Sequence, residues 1–157
     1  MGFLTWLEST AYSEWILVST TGWPLMLTGH TVGLAIVVGV LFSLNLRVLG
    51  LYDAISFTSV RDLMGIAWIG IAMNVVTGLS LFMTRASEYV VSAPFLIKIS
   101  FIALGIVNLV YMQKVLRRDA ASWQAAGAVP SIGVALAGSS LLFWIVAVVT
   151  GRLIAYI

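Results

Sequence analysis

The chain has 157 residues, of which 61% are hydrophobic and only 9% charged. Soluble domains carry roughly 25% charged residues, so the composition is that of a membrane-embedded chain, and at this length one domain is expected. The absence of cysteine excludes disulfides, iron–sulfur clusters, thiolate metal sites and cysteine-linked haem, and a net charge of +2 is too small and dispersed for a nucleic-acid partner.

The first stretch, Met1 to Glu14, carries Glu8 and Glu14 but no Lys or Arg. A secretory signal begins with a basic leader, so a cleaved signal peptide is not expected. Phe3 to Val18 is predicted to form one short amphipathic helix lying in the membrane interface. Its Trp6 and Trp15, with Trp23 just beyond, suit the headgroup layer. The alternative reading is a polar cap over the rest of the fold.

Four apolar runs then follow, Pro24 to Leu46, Leu63 to Met83, Pro94 to Gln113 and Ser131 to Gly151. Each is long enough for a membrane-spanning helix. Pro24 and Pro94 open their runs, where a missing N–H costs nothing. With the N-terminus outside, the inner loops hold Arg47, Arg61, Lys114, Arg117 and Arg118, against Arg85, Lys98 and Arg152 on the outer side. This bias places both termini outside, which in a bacterial inner membrane is the periplasm. The longest inner loop, Arg47 to Asp62, also carries Asp53 and Arg61, and reads as a solvated rim with local pairing.

Lipid tolerates Leu, Ile, Val and Phe on any face, so small and polar residues mark the inward ones. At helical spacing they form one stripe per span: His30, Gly33, Val37 and Asn45; Gly70, Asn74, Thr77 and Gly78; Lys98, Gly105 and Asn108; Gly133, Ala137, Ser140 and Trp144. An all-α, integral membrane four-helix bundle with a short N-terminal interfacial helix is the expected fold. The Gly29-xxx-Gly33 spacing has two readings: close approach of another helix, or a bare surface for a flat macrocycle.

His30 is the only histidine, and a titratable ring in hydrocarbon is a functional candidate by default. It and Lys98 each lie roughly 6 to 9 Å inside the outer boundary at 1.5 Å per residue. Thr77 and Gly78 close the same layer, with Phe143 and Trp144 slightly deeper. The sharpest reading is a b-type haem with His30 as one axial ligand and Lys98 or Met83 as the other. Lysine ligates only in its neutral form, which apolar surroundings favour. Gly29, Gly33, Gly78 and Trp144 would flank the macrocycle, and Arg85 and Arg152 would meet its propionates. The plainer readings are a His30 ring hydrogen-bonded to a neighbour and a Lys98 amine snorkelling to the headgroups. Copper is the other metal option, since Met26 stands one turn before His30 and thioether with imidazole suits Cu(I).

Enzyme classes built on carboxylates find little here. Glu8, Glu14, Asp53, Asp62, Glu88 and Asp119 all fall outside the spans, so neither a paired-acid site nor an intramembrane acid for proton pumping can be assembled.

His30 followed by Gly39, then Thr77-Gly78, Pro94-Phe95-Leu96-Ile97-Lys98 and Asn108, resembles CopD-like membrane domains and HemJ-type protoporphyrinogen oxidase. Over nearly its whole length the chain is similar to a family of small four-span bacterial membrane proteins. The Arg47-Val48-Leu49-Gly50 segment and the tail from Gly151 to Tyr156 carry that likeness. The HemJ resemblance implies bound haem b with key roles for His30 and Lys98; the CopD resemblance implies copper handling. Val37 departs from the aromatic these families usually place there, so porphyrinogen oxidation is not carried over. The expected role is electron transfer with a quinone, a porphyrin or a redox partner. The rivals are a CopD-type copper protein and a non-redox structural subunit, and a homo-oligomer sharing one haem between two copies of His30 is a further arrangement.

Overall fold

The computed structural model describes residues 2–52 and 55–156, and among them all regular structure is helical. In chain order the helices are α1 (Phe3–Glu8), α2 (Ala11–Val18), α3 (Gly22–Val48), α4 (Phe57–Met83), α5 (Ala86–Tyr89), α6 (Ala93–Ala126) and α7 (Ser131–Leu153). Four of them, α3, α4, α6 and α7, are long and apolar enough to cross a membrane.

α3 packs along α4, and α6 along α7; the two hairpins join through α3–α7 and α4–α6 to close a four-helix bundle. In this ring α3 and α6 stand diagonally opposite. Register is set by polar pairs between helices. Asn45 Nδ2 donates to Ser140 Oγ at 2.9 Å, and Trp68 Nε1 to Gln113 Oε1 at 3.3 Å.

Gly33 and Gly70 bring the backbones of α3 and α4 close together. A Cβ added at Gly70 would stand 2.9 Å from the Gly33 carbonyl oxygen. One added at Gly29 would stand 3.2 Å from Thr77 Cγ2. At both positions of the Gly29-xxx-Gly33 spacing α4 approaches closely, which is the helix-packing use of such a pair.

Packing is uneven along the bundle. In the half nearest the α3–α4 loop, Leu41, Leu44, Met64, Met112, Leu116 and Ala137 are all within 1% of complete burial. In the opposite half, His30, Asn74, Thr77, Gly78 and Lys98 face inward yet stay half-buried.

Three boundaries differ from the sequence reading. The N-terminal segment is two helices, because the Thr10 side chain accepts from Ser13 N and caps a new helix, while Ser9 Oγ bonds back to Trp6 O. Short hydroxyl residues compete for backbone partners in this way and break helices. α4 begins six residues earlier than hydropathy suggests, at Phe57, where Ser56 caps it by accepting from Ser59 N. α6 continues past Gln113 to Ala126, since Val115, Leu116, Ala120 and Trp123 stay buried, and it stops only at Gly127, whose φ is +61°.

The loop between α3 and α4 also departs from expectation. Arg47 is buried: it stacks over the Phe57 ring at 4.1 Å, and its Nε donates to Ile55 O. Asp53, named with it as a rim residue, lies outside the described residues, as does the side chain of Arg61.

Candidate functional site

His30 sits on α3, with Nδ1 at 3.0 Å from Thr77 Oγ1 on α4. The Thr77 hydroxyl in turn donates to Met73 O at 2.7 Å. Gly78 leaves room for the ring: a Cβ there would stand 3.3 Å from His30 Cε1. The sequence reading of Thr77 and Gly78 as members of this layer is therefore met by direct contact.

Lys98 enters from α6. Its side chain runs against α7 at Gly151, where an added Cβ would lie 3.4 Å from both Cδ and Cε. Among the described residues its amine has no hydrogen-bond or ion-pair partner. Both side chains are thus half-buried in the same half of the bundle, the imidazole at the α3–α4 interface and the stem of the amine against α7.

Aromatic rings cluster at the same end of the bundle. Phe82, Tyr89 and Phe95 stack in a cluster with centroids 5.3 to 6.3 Å apart, and Phe95 precedes Lys98 by one turn. Burial pushes the Tyr89 phenol above its ordinary value, with Arg85 opposing. The sequence reading missed this cluster. Its one available signal was the i, i+3 spacing of Phe95 and Lys98, which puts both on one helix face.

A strap of α1 and α2 lies across the same end, packed on α3, α4 and α5. The Tyr12 and Ser80 hydroxyls are 2.9 Å apart, and Tyr12 OH also approaches Met26 Sδ at 3.8 Å. Met26 is one turn before His30, and Ser80 lies three residues beyond Thr77, so Tyr12 marks the level just above the imidazole. Glu8 Oε1 accepts from Ser87 N at 2.7 Å and from Ser87 Oγ at 2.6 Å, tying the tip of the strap to α5. These bonds hold the Glu8 carboxyl below the usual carboxylate range.

The remaining expected site residues are dispersed. Trp144 lies one layer deeper, its indole against Gly105, where an added Cβ would meet Cε2 at 3.1 Å. Arg85 pairs with Glu88 at 3.6 Å, and Arg152 reaches Tyr156 OH at 3.3 Å. Both are exposed at the rim, held by neighbours rather than by the His30 layer. Met83 is half-buried at the end of α4. A cavity of about 500 Å³ opens at the opposite end of the bundle, beside Arg47, Phe57 and Trp123, and holds none of these residues. No three His, Asp or Glu side chains converge among the described residues, so a metal here would depend on nitrogen or thioether donors.

The chain matches no protein-family model, no curated protein and no solved structure.

Proposed function

We propose that the chain is a four-helix integral membrane protein of a bacterial inner membrane, both termini periplasmic, that holds one haem b and transfers electrons. The observation that carries this reading is that the only imidazole and an amine with no partner among the described residues are both half-buried in the same half of the bundle. His30 and Lys98 project from helices standing diagonally across the bundle, so a group lying between those helices could be held by both. The donor set fits the group.

His30 and Lys98 would hold the iron, and Phe82, Phe95 and Trp144 would keep water from it. Arg85 and Arg152 are the rim cations available to carboxylates, each by exchanging its present local partner. Bound there, haem b supplies a one-electron couple, with a quinone, a porphyrin or a redox subunit as the exchange partner. Membrane placement is supported by the four apolar helices and by Trp6, Trp15 and Tyr156, exposed at the end that the loop charges assign to the outer face.

A visible absorption spectrum of the purified protein tests the proposal. A Soret band that disappears in His30→Ala is the expected result, while a colourless, folded protein overturns it and leaves a structural subunit. Copper measured on the same sample tests the thioether alternative, in which Met26 would join His30.

A further inference from the structure

We infer that Thr77 fixes His30 in the tautomer protonated on Nδ1, leaving Nε2 as a bare electron-pair donor for a ligand. The hydroxyl of Thr77 has one proton. At 2.7 Å from Met73 O, a group that only accepts, that proton is directed at the carbonyl. The oxygen then offers only lone pairs to His30 Nδ1 at 3.0 Å, so the contact is a hydrogen bond only when Nδ1 carries the proton. A neutral ring protonated there has none on Nε2, and Nε2 has no hydrogen-bond partner among the described residues.

Thr77 is thus a positioning residue. It acts as the outer-shell acceptors of metal-bound histidines do, fixing tautomer and ring plane together. Gly78 contributes by leaving the ring edge uncrowded. The chemistry also narrows what Nε2 can take. An electron-pair acceptor suits it, either a transition-metal ion or a porphyrin iron; a carboxylate or phosphate oxygen does not. This choice of ligand class rests on the haem proposal, whereas the tautomer does not.

The single histidine makes the test clean. Cofactor-free protein labelled with 15N-histidine gives one pair of ring nitrogen signals, whose shifts distinguish protonated from unprotonated nitrogen. At mildly alkaline pH the expected result is a protonated Nδ1 and a bare Nε2. Thr77→Val should move the proton toward Nε2, the position a free histidine side chain prefers, and Thr77→Ser should keep the wild-type pattern. A ring protonated on Nε2 in the wild type, or one unmoved by Thr77→Val, overturns the inference. Zinc protoporphyrin added to the same sample should shift Nε2 far more than Nδ1. If Nε2 is unmoved, the ligand assignment falls while the tautomer stands. A missing Soret band in the native protein bears only on the haem proposal.

Discussion

Gly78 and His30 touch across the α3–α4 interface, with the ring's Cε1 at 3.3 Å from where a Gly78 Cβ would stand. A larger side chain there must push the ring off Thr77. Gly78→Leu is expected to lower haem affinity at least tenfold, or about 1.4 kcal/mol, with helix content unchanged. Gly138→Leu is the control, because nothing lies within 4 Å of a Cβ at that exposed position. Titration of both variants with haem checks the difference.

The Gly33–Gly70 approach sets a stability prediction. A Cβ at Gly70 would meet Gly33 O, Ile36 Cγ2 and Val37 Cγ2, each at 2.9 Å. Overpacking of this kind costs about 1–3 kcal/mol, more than the helix-propensity gain of up to about 1 kcal/mol. Gly70→Ala should therefore lower the unfolding midpoint in detergent. Gly39→Ala, with nothing within 4 Å, should leave it unchanged or raise it.

The strap over the site is held by bonds that can be removed singly. Losing one hydrogen bond of about 1 kcal/mol raises the open population about fivefold. Tyr12→Phe should accordingly speed carbethoxylation of His30 by diethyl pyrocarbonate, read in haem-free protein. Equal rates in wild type and variant would show that the strap does not shield the ring.

Acid should loosen the same strap. Glu8 has a lowered pKa in the folded chain, so its contribution is complete above the ordinary glutamate range and fades as pH falls through the folded value. Hydrogen exchange in α1 is expected to rise over that acidic window. In Glu8→Gln the rise should vanish, since no carboxylate remains to be protonated.

Trp144 makes a different kind of prediction. Its indole Nε1 is buried without a hydrogen-bond partner among the described residues, as are Asn45 Oδ1 and Asn108 Oδ1. An unsatisfied buried donor costs about 1–3 kcal/mol, and removing it offsets the packing that a smaller ring gives up. Trp144→Phe should therefore change stability by less than about 1 kcal/mol in a denaturant titration. A larger loss would mean that the indole N–H is paired in the folded protein.

Much of the interior was legible because small and polar residues recur at helical spacing. Gly33, Val37 and Asn45 on α3, Gly105 and Asn108 on α6, and Gly133, Ala137, Ser140 and Trp144 on α7 are all buried, as their stripes predict. Hydropathy located the long helices but misplaced two boundaries, because it records where hydrocarbon ends rather than where backbone hydrogen bonding ends. The polar turns after Gln113 illustrate this, remaining helical until Gly127. What sequence periodicity could not supply is the pairing of distant side chains. Tyr12 and Ser80 are 68 residues apart, and Glu8 and Ser87 are 79 apart, so no local pattern links them. The Gly29-xxx-Gly33 ambiguity was of the same kind, since its meaning depends on what α4 brings opposite.

The contrast between the two ends of the bundle has a mechanical consequence. Side chains locked around Leu44, Met64 and Leu116 form a stiff footing that resists deformation. Above it the side chains of His30, Asn74, Thr77 and Lys98 are only half-buried, which leaves the mouth around His30 more room to adjust to an occupant than the footing has. Hydrogen exchange should accordingly be slowest near the footing and fastest at the rim, and filling the mouth should slow exchange only there.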